Sequence, residues 1–249
     1  MGLEQWFDEF RARFILNFID DNRWKYIVNG LGVTLEVTFF AVLIGILLGV
    51  LVAVVRTSHD KNSDVRPGSA FQWIGHILLK VGNFLCKVYL TVIRGTPVVV
   101  QLLIIYFVIF ASVNIDKVFV AVLAFGINSG AYVAEIVRAG IMSIDNGQFE
   151  AGRSLGFNYV QTMCYIVIPQ AFKNILPALA NEFIVLLKET SVSGYIALQD
   201  LTKGGDIIRG RTYDAFMPLI AVALIYLVIV TVLSALVGRL ERRLRSSDH

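Results

Sequence analysis

One stretch of this chain, residues 148–190, carries charge, glycine and proline in a fixed order within an otherwise apolar sequence. Glu150 and Ala151 are followed by Gly156 and then by Pro169. Proline removes a backbone donor, so Pro169 is expected to interrupt or kink the helix that contains it.

The first half of this stretch has the local signals of two short helices joined by a sharp turn. Residues 145–147 have capping and turn character before a short helix over residues 149–154, and Gly156 stands where a left-handed residue would end that helix. Asn158, with Gln161 three residues later, can open a second helix with a capping box. A compact exposed helix of this kind can be gripped by a soluble partner.

The order of these residues resembles the EAA loop of the permease subunits of bacterial ATP-binding cassette importers. Its pattern is Glu-Ala-Ala, three residues, Gly, nine residues, Ile, any residue, Leu, Pro. Two positions depart from it, since Gly152 replaces the second Ala and Ile168 replaces Leu. Other segments are similar to the polar amino-acid permeases of the histidine and glutamine type, namely residues 94–97 with Gln101, 128–138, 181–183 and 187–191.

The resemblance implies that this loop is a coupling helix seated in a groove of a separate ATPase subunit. Glu150 would make polar contacts at or near the ATPase, Ala151 would permit close approach, and Gly156 would supply the turn. The residues expected to couple to the ATPase are Glu150, Ala151, Gly152, Arg153 and Gly156. Gly152 lowers helix propensity by up to about 1 kcal/mol relative to Ala, which partner binding could offset.

Polar side chains inside the apolar runs are the candidates for a substrate path, because a zwitterionic amino acid needs donors and acceptors that replace its hydration. They are Asn128, Ser129, Tyr132, Glu135, Asn181, Glu182, Lys188 and Glu189. The alternative is that Glu135 with Arg138, or Lys188 with Glu189, form packing or gate ion pairs. The sequence does not single out one substrate. The candidates are basic amino acids such as arginine, and glutamine, histidine and cystine.

The chain is expected to be a transport subunit and not an enzyme. It has no phosphate-binding loop of the Gly-x-x-x-x-Gly-Lys-Ser/Thr type, no nucleophile–base pair and no metal-ligand set. No cofactor is expected on this chain, and ATP with Mg would be bound by the partner ATPase. The alternative function is an ion-coupled secondary transporter that uses Glu135, Glu182 and Glu189, although such proteins generally contain internal repeats and none is evident.

Composition places these residues in a membrane protein. Of 249 residues, 56% are apolar, and the mean hydropathy is +0.69, well above a soluble average. A net charge of +3 gives no support to nucleic-acid binding. We expect an all-α integral membrane protein with about five transmembrane helices and a cytoplasmic coupling helix, the transmembrane domain of a type I ABC importer in the family the chain resembles.

The predicted domain layout is an amphipathic N-terminal segment over residues 1–25, a permease domain over 26–245 and a tail over 246–249. The five predicted spans are residues 33–55, 97–113, 118–138, 171–190 and 215–238. Phe7, Phe10, Phe14 and Phe18 recur at helical spacing, which predicts a helix that lies in the membrane interface or packs against the first span.

The segments between the predicted spans divide into loops and one amphipathic helix. Residues 57–69 and 191–214 are predicted to be polar loops. Residues 74–92 are predicted to form an amphipathic elbow helix that leads into the bilayer. We attach no function to the first of these loops.

The basic C-terminal cluster predicts a cytoplasmic C-terminus and, with five spans, an external N-terminus in a bacterial inner membrane. Lys203, Arg209 and Arg211 fall on the external side and do not fit this rule. The resemblance implies a second permease chain of the same or similar sequence, two cytoplasmic ATPase subunits and an extracytoplasmic binding protein that delivers the amino acid. Membrane lipid is the remaining partner.

Overall fold

The computed structural model describes residues 3–62, 68 and 70–245, and the part of the chain that it describes contains no β-strand. The all-α prediction is therefore confirmed. The α-helices are α1 Leu3–Phe14, α2 Trp24–Asn62, α3 Ala70–Gly95, α4 Val98–Ile104, α5 Lys117–Met142, α6 Asn146–Ser154, α7 Tyr159–Thr162, α8 Ile168–Glu189, α9 Leu201–Thr212 and α10 Phe216–Arg245. Two 3-10 segments, Asp20–Asn22 and Thr190–Ile196, and three π-helical turns, Ile15–Ile19, Ile105–Ile109 and Met163–Val167, complete the helical structure.

Five helical segments of the described residues are long and apolar enough to cross a bilayer, which is the number expected from the sequence. They are Trp24–Asp60, Gln72–Gly95, Lys117–Met142, Tyr159–Ile196 and Phe216–Leu244. The first, third, fourth and fifth predicted spans each coincide with one of these helices apart from residues at their ends. Helix α2 also continues past the predicted end of the first span as far as Asn62.

The helix within the predicted second span, residues 97–113, is shorter than expected. Helix α4 and the π-turn after it together cover only Val98–Ile109, about 18 Å at roughly 1.5 Å per residue, whereas a hydrocarbon core is about 30 Å thick. The segment of spanning length is instead α3, where only an elbow was expected. Pro97 explains the position of the break, because it lacks an N–H and disfavours a helical residue before it.

The loop predicted over residues 191–214 is wrong, because most of it is helical. A 3-10 turn covers Thr190–Ile196, and α9 follows it. Asp200 is the N-cap of α9, and its carboxylate accepts the backbone N–H groups of Thr202 and Lys203 at 3.2 and 3.1 Å. Such a cap satisfies two of the donors that every helix start leaves free.

Glycine in α9 serves close packing. A Cβ on Gly204 would collide with the backbone carbonyl of Tyr26, and one on Gly205 would lie 2.5 Å from the Val222 side chain. The glycines that indicated a loop therefore allow α9 to approach its neighbours.

The chain divides into two compact units. Unit 1 comprises Met1–Phe40, Val98–Phe125 and Ile184–Ser234, and unit 2 comprises Ala41–Pro97, Gly126–Phe183 and Ala235–His249. The core of unit 1 includes Ile27, Leu201, Ile208 and Val222. The core of unit 2 includes Ala53, Val133, Val137, Ala171 and Ile175.

Helices α2 and α5 pack closely in unit 2 through small residues. A Cβ on Gly45 would lie 2.8 Å from Ser129 Oγ, and one on Gly49 would lie 2.5 Å from a methyl group of Val133. These two glycines are four residues apart, the spacing that lets membrane helices bring their backbones together. The close approach places Ser129 in the interior of the unit.

The N-terminal helix α1 packs against little of unit 1. Its aromatic side chains are exposed, with Trp6, Phe7 and Phe10 at 53, 58 and 42%. Asn17, just after it, is fully buried and donates to Asp214 Oδ2 at 2.9 Å. The helix is thus held at one end. Of the four phenylalanines at helical spacing, Phe18 packs against the core cluster that contains Ile27 of α2, whereas Phe7, Phe10 and Phe14 are exposed.

Two predicted segments cannot be followed completely. Within the loop predicted over residues 57–69, residues 57–62 are helical and belong to α2. Residues 63–67 and 69 lie outside the described residues, as does the tail over residues 246–249.

Candidate functional site

The helix–turn–helix predicted over residues 145–161 is present and is stabilised by its own side chains. Asp145 is the N-cap of α6, and its carboxylate accepts the Gly147 N–H at 2.6 Å. Gly156 follows the C-cap with φ +81°, a backbone conformation that residues other than glycine rarely adopt. Asn158 and Gln161 form the predicted capping box, each side chain accepting the other's backbone N–H at 2.9 Å.

Pro169 does not interrupt the helix that follows. It is the second residue of α8, which continues to Glu189, and the π-turn Met163–Val167 directly precedes α8. A proline ring clashes with the carbonyl four residues earlier, here that of Tyr165 within the π-turn. The wider hydrogen-bond spacing of a π-turn accommodates such a residue.

Gly152 is required by packing. It is buried, and a Cβ there would lie 2.7 Å from both Oγ1 and Cγ2 of Thr162, whose hydroxyl donates to Asn158 O at 3.0 Å. The contact brings α6 against α7. This is the position at which the EAA pattern has alanine.

The outward surface of the loop is both charged and apolar. Glu150, Ala151 and Arg153 are exposed, as the resemblance to a coupling helix requires. Leu155 and Val160, which the sequence reasoning missed, are exposed at 72 and 66%. Exposed aliphatic side chains beside charges are a typical partner surface.

Glu135 is the centre of a cationic cluster in unit 2. Its carboxylate lies 3.4 Å from Arg56, 3.4 Å from Arg94 and 3.9 Å from Arg138. The guanidinium of Arg94 also lies 5.9 Å from the centre of the Tyr132 ring. Sequence reasoning suggested only Arg138, because Arg56 is 79 residues distant along the chain.

A second polar pair lies deeper in unit 2. Ser129 donates to Glu182 Oε1 at 2.8 Å, and the two residues are 0 and 8% exposed. Asn128 is also buried, whereas Asn181 is exposed. The predicted polar residues therefore fall into a buried group, Asn128, Ser129 and Glu182, and a group that is at least partly exposed.

Lys188 and Glu189 belong to unit 1, at the end of α8. Lys188 is exposed and lines a cavity of about 310 Å³ together with Thr202 and Tyr226. Glu189 is half-buried. Nearby, burial of Asp200 raises the pKa of its carboxyl to about 6, although the N–H groups of Lys203 and Thr202 oppose this shift.

Comparison with known proteins agrees with this architecture. Residues 73–246 match the family model described as binding-protein-dependent transport system inner membrane component. The arginine transport system permease protein ArtQ of Bacillus subtilis is 39% identical over 225 residues, which are 90% of this chain and 94% of that protein. The glutamine transport system permease protein GlnP of Escherichia coli is 41% identical over 168 residues, 66% of this chain and 77% of that protein.

A solved structure supports the same fold. The crystal structure of an amino acid ABC transporter with histidines matches with a TM-score of 0.76 and 43% identity, over 88% of this chain and 94% of that one. These matches support the ABC permease over the ion-coupled transporter. The chain belongs to the family of binding-protein-dependent transport system inner membrane components, as a multi-pass permease subunit with the fold of a type I ABC importer.

Proposed function

We propose that this chain forms the translocation path for a polar amino acid in an ATP-driven importer and is coupled to its ATPase through residues 148–169. The observation that carries the proposal is the coupling loop, an exposed helix closed by the turn at Gly156 and followed by α7, a π-turn and α8, which run on from Tyr159 without a break in the helical path. Relatives named for arginine, glutamine and cystine transport support a polar amino acid as the substrate.

The assembly we propose has two permease chains, two cytoplasmic ATPase subunits that bind ATP and Mg, and an extracytoplasmic binding protein. The N-terminus is external and the C-terminus cytoplasmic, which puts residues 148–169 on the side where ATP is available. ATP binding closes the ATPase pair, draws the coupling helices together and opens the translocation path to the outside. Hydrolysis then returns the path to its inward-open state.

The substrate path in this proposal uses the polar residues of α5 and α8. Asn181 and Lys188 are exposed on a helix of spanning length, and polar groups at membrane depth face a water-filled cavity or a protein partner. Asn128, Ser129 and Glu182, in the same unit as Asn181, supply buried donors and acceptors, while Tyr132 and Glu189 are at least partly accessible.

Glu135 serves as a gate in this scheme because one carboxylate holds three guanidinium groups in one place. Without that carboxylate the three cations repel each other, so the closed arrangement is destabilised. Glu135→Gln should therefore raise ATP hydrolysis in the absence of substrate. Unchanged basal hydrolysis and transport in this variant would remove the gate role.

The coupling role is tested by reversing one exposed charge. Glu150→Lys should strongly lower ATP-driven amino-acid uptake into vesicles that contain the complete complex, while the spans stay folded. The matched control is Glu4→Lys, which reverses an exposed glutamate on α1 in the other unit. Normal uptake by the Glu150→Lys variant would count against the proposal. So would purification of the wild-type chain in mild detergent without any bound ATPase.

A further inference from the structure

Helix α3 combines an apolar outer surface with a row of cations. Phe84, Leu85 and Val88 are exposed at 64, 60 and 44%. Lys80, Lys87 and Arg94 are seven residues apart, so they lie along one side of the helix, and all three are exposed. Such a helix presents charge and hydrocarbon-compatible surface next to each other.

The cations of α3 meet a cavity that has too little negative charge. The cavity has a volume of about 480 Å³ and is lined by Arg56, Lys87, Arg94 and Glu135, with Thr91 at its wall. Glu135 is the acidic residue of this lining, and it is already shared with Arg56 and Arg94. Among the described residues, no carboxylate lies within ion-pair distance of Lys87.

Arg56 also has an unmet hydrogen bond. Its Nε–H is buried and has no acceptor among the described residues, although one of its terminal nitrogens pairs with Glu135. A buried donor without an acceptor is unfavourable, because it has lost its hydrogen bond to water. The cavity therefore lacks both negative charge and an acceptor, and an anion with several oxygens would supply both.

We propose that this cavity binds the headgroup phosphate of an acidic phospholipid. The phosphate contacts Lys87, Arg94 and Arg56, and the acyl chains lie along the exposed Phe84 and Val88. Basic pockets between membrane helices are recognised sites for acidic headgroups. A free amino acid fits less well, because its ammonium group would add a cation where the only lining carboxylate is already engaged.

The bound phosphate would share Arg56 and Arg94 with Glu135. The lipid composition of the membrane would then affect the strength of the ion pairs that Arg56 and Arg94 form with Glu135. The site rests on the geometry of α3 and its cavity, and it stands whether or not the chain carries an amino acid.

The test is lipid retention by the purified full-length chain, measured by native mass spectrometry with phosphatidylglycerol or phosphatidylcholine. The wild-type chain should retain phosphatidylglycerol in preference to phosphatidylcholine. Lys87→Gln should weaken that retention about fivefold. Arg239→Gln is the matched control, since it removes one exposed cation from the same unit away from the cavity and should leave retention unchanged.

Three results would overturn the proposal. Equal retention of the two lipids would mean unspecific lipid contact, and unchanged retention by Lys87→Gln would place the lipid elsewhere. If free L-arginine or L-glutamine displaced phosphatidylglycerol without destabilising the protein, the cavity would be assigned to an amino acid. Helix content by circular dichroism establishes that each variant is folded.

Discussion

Two glycine-containing segments of this permease, residues 145–161 and 190–212, form short helices for different physical reasons. In the first, the caps are local, because Asp145, Asn158 and Gln161 each bond a backbone group two or three residues away. In the second, Asp200 also caps α9 locally, but the start of the helix is held to α2 as well, since Thr34 Oγ1 accepts the Leu201 N–H at 3.1 Å. The first segment is capped by its neighbours in sequence alone, whereas the second also depends on a neighbour in space.

This difference decides which substitutions each segment tolerates. A local cap can be lost or replaced at a cost of about 1 kcal/mol. A backbone-to-backbone contact leaves no room for any side chain, because neither backbone can move alone. Substitutions in the second segment should therefore have the larger effects.

The largest expected effect is that of Gly204→Ala in α9. The new methyl group would collide with the Tyr26 carbonyl, and overpacking of this kind costs about 1–3 kcal/mol. Thermal unfolding of the purified chain should occur at a clearly lower temperature. Gly210→Ala in the same helix is the control, because a Cβ added at Gly210 would lie in open space. Equal melting temperatures would show that α9 does not depend on close contact with α2.

A smaller effect is expected for Gly152→Ala, which tests whether the first segment is entirely local. The methyl group would lie 2.7 Å from two atoms of Thr162, a side chain and not a backbone. We expect a loss of about 1–2 kcal/mol. Combining it with Thr162→Ala removes both clashing atoms, so the double variant should melt above Gly152→Ala alone. A strictly additive pair would contradict the contact.

The smallest effect is the pH dependence contributed by Asp200. Its pKa in the folded protein is about 6, above the ordinary value of 3.8, so the folded state binds the proton more tightly than the unfolded state. Stability should therefore increase by about 1 kcal/mol as pH falls from 7 to 5. Asp200→Asn keeps a capping side chain and should remove this increment from melting curves measured at both pH values. An unchanged increment would assign the pH dependence to another group.

The same contrast explains how far the sequence could be interpreted. The caps of α6 and α7 and the turn at Gly156 were predictable because each signal lies within a few residues of its effect. Asp200 carried the same capping signal, but Gly204 and Gly205 obscured it, since glycine indicates a loop unless its packing neighbour is known. The partners of Glu135 were out of reach for the same reason, because Arg56 and Arg94 come from other helices.

The difference between the expected and observed helices around Pro97 has another cause. Both sides of Pro97 are apolar, and the break itself was predicted correctly. The charges on α3 made it look like an interfacial helix, whereas the uncharged residues after Pro97 looked like the span. Long basic side chains can keep their charged ends in a polar environment, so α3 can carry them at spanning length.

The contact between Gly152 and Thr162 has an evolutionary consequence. An alanine in place of Gly152 would need the space that the methyl and hydroxyl groups of Thr162 occupy. The two positions should therefore covary among related permeases. Sequences with alanine in place of Gly152 should carry serine, alanine or glycine in place of Thr162. Sequences that keep a β-branched residue in place of Thr162 should keep the glycine.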